Sequence, residues 1–369
     1  MAKIRFLSLP QNQIITFEHF TDENMALKDE LLAWYHKNAR NLPWRNTSDP
    51  YKIWLSEIIL QQTRVEQGLP YYQRFTKQFP NLMKLAQASE EEVLRLWQGL
   101  GYYSRGRNLL TAARQMIERH NGFPKTYAEI RDLKGVGEYT AAAIASFAYN
   151  LPHAVVDGNV YRFYSRLFGI NTPIDSTEGK KEFRALADEM LNKEFPALHN
   201  QAVMEMGALI CKPKPDCENC PFIQQCIAYK EKATAHYPVK SKSTKVRSRY
   251  FYYLLMETGK NIIIRKREEK DIWQGLYEFP LIETTHAMEP EELYGLNEWK
   301  TMKKNGFQVK HISDSYLHKL SHQHLHARFI HLASVKIKPD KEWKLIPKKD
   351  LANYGMPQLI VKYLNETEH

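Results

Sequence analysis

Only four of the 369 residues are cysteine, and all four lie between Cys211 and Cys226. None is left elsewhere for a disulfide, which excludes a disulfide-built secreted scaffold and points to a metal site in a reducing compartment. Long apolar runs are also missing. No stretch is a transmembrane candidate, and the opening MAKIRFLSLPQNQ is too briefly hydrophobic for a secretory signal. These absences predict an intracellular, cytoplasmic protein without membrane contact. No internal repeat or low-complexity tract occurs. Acidic residues are outnumbered, 42 against 52 Lys and Arg, for a formal charge of +10. A basic balance suits a polyanionic partner, because each phosphate contact releases counterions, but by itself it is weak evidence for nucleic acid. What is present, 43% hydrophobic and 25% charged residues, is an ordinary globular composition in a chain long enough for two or three domains.

Residues 1–23 carry no periodic signal and read as an extension. From Asn24 to Lys37, Leu27, Leu31, Leu32 and Trp34 recur at helical spacing. Pro43, Asp49 and Pro50 then break the helix in a loop that displays Trp44 and Arg45. Helical patterns follow through the first 232 residues, and no run there alternates as a strand does. Near residue 232 the composition changes. Residues 233–248 are basic and without apolar periodicity, as an exposed linker is. Beyond them, from 249 to 365, YFYYLLMET, NIIIRKRE and ARFIHLASVKIK are β-rich runs, so the second domain mixes α and β. The six histidines from His311 to His331 show no repeated ligand motif and read as solvated or phosphate-facing.

Three constellations could carry chemistry. LKGVG (133–137) precedes an alanine-rich helix. Gly135 and Gly137 allow close approach of the backbone, so the turn reads either as an ordinary helical turn or as a helix-hairpin-helix whose amides hold a phosphate. Glu57 lies among Ile53, Trp54, Ile58 and Leu60, where a carboxylate is costly unless exposed, paired or used. Asp157 heads the next helix, where capping aspartates are common. Two carboxylates in different settings could divide the work of breaking a glycosidic bond, one as acid and one stabilising an oxocarbenium-like centre. Finally, Cys211, Cys217, Cys220 and Cys226 form C-x5-C-x2-C-x5-C, which fits either zinc or an iron–sulfur cluster.

The order WLSEIILQQTRV (54–65), GLGYYSRGRNL (99–109), LKGVGEYTAAAI (133–144), VVDGNVYR (155–162) and then four cysteines resembles the adenine DNA glycosylases of the MutY type over most of residues 24–230. The resemblance implies an all-α helix-hairpin-helix glycosylase core (24–232) with a [4Fe–4S] cluster on the four cysteines. It also implies an α+β Nudix-like domain (249–365) that recognises 8-oxoguanine. Such a protein removes adenine opposite 8-oxoguanine or guanine from double-stranded DNA, and a monomer is expected. By the same resemblance Glu57 would protonate adenine at N7 and Asp157 would stabilise or trap the sugar cation, with Tyr139 and Asn159 orienting them. Arg45 and Gln201 fall at adenine-pocket positions, and Trp44, displayed beside Arg45, is counted with them as substrate-binding. Gln62 and Tyr102 fall where side chains enter the duplex, and Ser321 falls where 8-oxoguanine is contacted. Leu60, at the end of the Glu57 helix, reads either as a core residue or as one that enters the stack with them. Endonuclease III is similar in fold and cluster but uses a lysine where this chain has Tyr139, which predicts a glycosylase without lyase activity. The first cysteine arm has five residues where the family usually has six, and Leu320 stands where phenylalanine is frequent. The second domain lacks the glutamate-rich helix of magnesium-dependent Nudix enzymes, which implies recognition without nucleotide hydrolysis.

Overall fold

The computed structural model describes residues 17–241, 246–297, 299–300, 306–333 and 342–367. It divides into two compact units, Met1–Ser48 with Ala141–Ser241 and Asp49–Thr140 with Lys242–His369. Each is taken in turn.

Every regular element among the first unit's described residues is a helix. Helix α1 spans Phe17–Asn38, so it begins seven residues before the apolar periodicity that starts at Asn24. Helix α8 (Glu138–Tyr149) runs across the division between the units. Ala141, Ala142, Ala143 and Ala145 in it are fully buried, because side chains this small let neighbours close in on every side. Helix α9 (Gly158–Phe168) is capped by Asp157 and closed by Gly169 at φ 64°, a left-handed position that glycine adopts without a Cβ penalty. Helices α10 (Thr177–Met190) and α11 (Pro196–Leu209) follow, and α12 (Ile227–Lys230) ends the cysteine segment. Helix α11 packs on both α1 and α9. Gly207 is what allows the second contact, since a Cβ there would lie 2.6 Å from the Cβ of Asn159. The expected exposed linker needs correction at both ends. Tyr237 is buried, Val239 O accepts from Ile174 N and Ser241 bonds Asp175 through N and Oγ. At the far end Arg247 already begins a strand. Residues 242–245 lie outside the described residues. Satisfied backbone groups, invisible in a polar sequence, hold the segment against α10's approach.

The second unit begins with α2 (Pro50–Leu60), whose start is set by proline at the first helical position and by Asp49 accepting from Tyr51 N. Its residues from Ile53 through Ile59 are all buried. Helices α3 (Val65–Gln78), α4 (Leu82–Ala86), α5 (Glu90–Trp97), α6 (Ser104–His120) and α7 (Tyr127–Arg131) follow. Ser89 with Glu92 and Thr126 with Glu129 form capping boxes at the starts of α5 and α7. Among its described residues the same unit holds an eight-stranded sheet in the order β3 (Tyr277–Glu278), β2 (Asn261–Lys266), β1 (Arg247–Thr258), β7 (Gln323–Ala333), β5 (Gln308–Ile312), with β4 (Leu281–Thr284) beside β1, β6 (Tyr316–Lys319) beside β7 and β8 (Trp343–Pro347) beside β2. Strands β1 (Arg247–Thr258) and β7 (Gln323–Ala333) run parallel at its centre. One face of β1 packs Tyr252, Leu254 and Met256 against Leu293 and Trp299. The other carries Tyr253 against Phe329, which stacks on Tyr363 of the terminal helix Gln358–Thr367. Coverage on both faces is why YFYYLLM reads as an unbroken apolar run and not as an alternation. Helices and sheet meet in this unit through Met356 N donating to Gln98 and Arg107 donating to Gln274 O and Oε1.

Candidate active site

Glu57 is buried at 7% exposure, so it is not the solvated surface residue that a polar side chain on α2 could have been. It is not left bare. Tyr139, one residue into α8, donates its hydroxyl to Glu57 Oε2 at 2.9 Å. The structure thus joins two residues that stand 82 positions apart in sequence.

Asp157 belongs to the other unit, and there the capping reading and the functional one describe the same atoms. Oδ1 accepts from Asn159 N at 2.9 Å and Val160 N at 2.8 Å, closing the first turn of α9. Oδ2 accepts from Asn159 Nδ2 at 2.8 Å. The carboxyl is enclosed although the residue as a whole is partly exposed. Burial raises its pKa above the ordinary carboxylate value, outweighing the downward pull of those N–H groups and of Arg162. Asn159 is itself held. Its Oδ1 accepts from Arg162 Nη2 at 2.9 Å, and the same guanidinium donates to Gly207 O and Cys211 O. One arginine therefore ties the head of α9 to α11 and to the cysteine segment.

The expected adenine-pocket residues sit differently from the sequence reading. Trp44 is not displayed but buried at 8% exposure. Arg45 is mostly covered and forks onto Glu205 of α11 at 2.8 and 2.7 Å. Arg40 forks onto the same carboxylate at 2.9 and 2.7 Å. The reason is Glu205 itself, whose side chain is 1% exposed. A carboxylate that deep draws in whatever cations are near. Burial pushes Glu205 up, but the bonds from Arg45 and Arg40 prevail and bring its pKa down to about 2. Gln201, one turn earlier on α11, accepts from the Tyr35 hydroxyl at 2.8 Å. Sequence reasoning missed Arg40 and Glu205. The signal was available, since a glutamate inside AVMEMG raises the same objection as Glu57 in α2.

Two loops of the second unit carry the residues expected to enter DNA. Gln62, just beyond α2, has φ 57°, and Tyr102, just before α6, has φ 45°. Both are exposed, Tyr102 at 42%. Non-glycine residues rarely occupy this left-handed region, and such strain gathers at functional loops. Leu60, the last residue of α2, is half-buried. The Tyr102 hydroxyl meets the Ser321 hydroxyl, so two positions 219 apart come into contact. The glycines of the α7–α8 turn separate. Gly135 has φ 78° and a Cβ there would lie 2.8 Å from Asn108 Cβ, so internal packing demands it. Gly137 is exposed and a Cβ there would meet nothing within 4 Å, so the protein's own packing does not explain it.

Cys211, Cys217, Cys220 and Cys226 line one cavity with Phe163, Arg166 and Phe222. Arg166 Nη1 lies 3.5 Å from Cys211 Sγ, and Cys226 Sγ lies 3.4 Å from Arg166 O. Burial pushes the Cys220 thiol up to about 12. Four thiols gathered in this way fit a cationic group that binds thiolates. Among the described residues no group of three or more His, Cys, Asp and Glu converges as ligands of a single metal ion. No helix among the described residues is long and apolar enough to cross a membrane.

Comparison with known proteins agrees with this geometry. Residues 55–192 match the HhH-GPD superfamily base excision DNA repair protein, and residues 251–366 match the NUDIX domain. An adenine DNA glycosylase of Buchnera aphidicola subsp. Schizaphis graminum is 36% identical over 80% of this chain and 84% of its own length. The human adenine DNA glycosylase is 40% identical over 59% of this chain and 42% of its own. Among solved structures, a thermostable thymine-DNA glycosylase aligns at TM-score 0.53 and 28% identity, covering 57% of this chain and 99% of that one. A non-covalent endonuclease III–DNA complex aligns at TM-score 0.51 and 21% identity, over 57% and 97%, and is similar in fold. The chain belongs to the adenine DNA glycosylases, helix-hairpin-helix enzymes of base excision repair with a Nudix-like C-terminal domain.

Proposed function

We propose that this glycosylase excises adenine opposite 8-oxoguanine or guanine in double-stranded DNA, as a monomer in the cytoplasm and without lyase activity. The carrying observation is the Tyr139–Glu57 pair: a buried carboxyl joined to a phenol, at the position where a lyase would need an amine. Residues 24–232 form the catalytic part and 249–365 the part that reads the damaged base.

A stacked adenine cannot receive a proton at N7 from a side chain, so it must first leave the helix, at a cost of a few kcal/mol. Leu60, Gln62 and Tyr102 enter the space it vacates, and Ser321 reads 8-oxoguanine. Gly135 shapes the α7–α8 turn. Gly137, with no internal neighbour to exclude a side chain, lets the amides at the head of α8 meet a phosphate. Trp44, Arg45 and Gln201 form the adenine pocket, the latter two oriented by Glu205 and Tyr35. Glu57 then gives its proton to adenine N7. As the glycosidic bond breaks, positive charge grows on the sugar, and Asp157, oriented by Asn159, faces it as a carboxylate or bonds to it. Asp157's burial suits that role, because a desolvated anion gains most when a cation forms beside it.

The four cysteines suit a [4Fe–4S] cluster better than a single zinc ion, since cluster ligands bind separate irons around a cavity whereas zinc ligands converge on one point. When bound, the cluster supplies a cross-link that fixes the cysteine segment. Iron and sulfide in roughly equal amount with a visible absorption band support this reading, and zinc alone overturns it.

Single-turnover excision on A:8-oxoguanine and A:G duplexes tests the function. Base release by the wild type, with loss in Glu57→Gln, is expected. Binding without release would leave a mismatch-binding protein, and efficient trapping by borohydride would reveal lyase chemistry.

A further inference from the structure

Arg105, in the first turn of α6, is buried at 8% exposure. Its Nη1 donates to Ile58 O at 3.0 Å, Ile59 O at 2.9 Å and Gln61 O, and its Nη2 to Thr63 Oγ1 at 3.3 Å, Leu100 O at 3.2 Å and Gly101 O at 3.3 Å. All six acceptors are neutral oxygens. Three are carbonyls at the end of α2, where the helix dipole welcomes a cation. One is the hydroxyl of the loop beyond α2, and two belong to the glycine loop before α6. The guanidinium also lies over the Trp97 and Tyr102 rings at 5.1 and 6.0 Å.

A buried cation is costly, and burial lowers the pKa of Arg105 to about 10. An apolar side chain would fill the space at lower cost. What it could not do is bridge two backbones, which the planar fork of arginine does with donors of fixed direction. The two segments bridged are those that carry the exposed, left-handed Gln62 and Tyr102. Gln62 lies between two of Arg105's partners, Gln61 and Thr63, and Tyr102 directly follows another, Gly101.

We propose that Arg105 is a positioning residue that clamps the loop of Gln62 to the loop of Tyr102, so that both side chains enter a duplex at a fixed separation. It touches neither the adenine nor the sugar. The inference rests on the proposed flipping of adenine and concerns only how that step is held in place.

The test compares two substrates with full-length holoenzyme. One is an A:8-oxoguanine duplex, and the other carries the adenine in a single-nucleotide bulge, where it is already unpaired. In Arg105→Lys, which keeps the charge but cannot fork, single-turnover excision from the paired duplex falls about ten- to hundredfold, the share of flipping energy at stake. Excision from the bulge falls by less than about threefold, since little flipping energy remains to supply there. A 2-aminopurine placed beside the target loses its flipping signal in the variant on the paired duplex alone. Arg105→Ala gives a larger split in the same sense. Equal loss on both substrates, or no loss on either, overturns the proposal. So does unfolding of both variants in a thermal melt, because Arg105 would then be a core residue and not a positioning one. Failure of the wild type on both substrates would instead overturn the proposed function.

Discussion

Two carboxylates of the first unit, Asp157 at the head of α9 and Glu205 in the middle of α11, are both enclosed by protein yet driven in opposite directions. Asp157 is bonded by two backbone amides and one side-chain amide, all neutral, and burial prevails, so its pKa rises. Glu205 is gripped by two guanidiniums, and its pKa falls to about 2. Two cationic partners overcome burial at Glu205, whereas the neutral donors around Asp157 do not. A carboxylate among neutral donors keeps its charge available for a forming cation. One between two arginines has already been neutralised and serves the fold.

The comparison can be broken at four points. Glu205→Gln should have the largest effect, lowering the free energy of unfolding by about 3–5 kcal/mol at neutral pH, because two partly buried guanidiniums lose their buried counter-charge. Since the folded pKa of Glu205 lies below its ordinary 4.5, its contribution is present above about pH 4.5 and is lost as pH falls toward 2. Denaturant titrations of wild type and variant should therefore converge in that window. Asp157→Asn keeps an oxygen for the Asn159 and Val160 amides, so it folds, but single-turnover excision should fall about 10²–10³-fold for want of the charge. Activity near wild type would place Asp157 with Glu205 as a structural residue.

Gly207→Ala sharpens the comparison from the other side. The new methyl meets Asn159, which should cost about 1–3 kcal/mol by overpacking and should also slow excision by displacing the amide that holds Asp157 Oδ2. Slowed excision without lost stability, or the reverse, would separate the two roles of Asn159. The smallest effect concerns stability alone. A carboxyl whose folded pKa is raised contributes stability at low pH and loses it as pH rises through that pKa. Asp157→Asn should therefore melt above wild type at neutral pH, and the difference should fade once the pH falls below the ordinary aspartate range.

Much of this was legible beforehand. Apolar spacing marked the helices, as at α2, although Asp49 and Pro50, which read only as breakers of the helix before, prove to be its cap and first residue. The glycine turn, Glu57, Asp157 and the four cysteines were visible as residues that ordinary packing does not account for. Misreadings arose where the deciding partner was distant. Trp44 and Arg45 sit in a loop bounded by prolines and read as displayed, yet Glu205, 160 residues away, draws Arg45 inward. Residues 237–241 read as linker because hydrogen bonds to Ile174 and Asp175 leave no trace in local composition. Gly135 and Gly137 look alike in sequence and separate only when Asn108 is found beside the first.

The sequence alone determined the helices and their caps, the β-rich second half, the cysteine spacing and the list of suspect carboxylates, because each depends on residues within a turn or two of one another. Tertiary structure alone decided that Tyr139 bonds Glu57, that Asp157 and Glu205 titrate in opposite directions, and that Arg105 joins two loops. Burial and the charge of distant partners set those outcomes, and neither exists until the chain has folded.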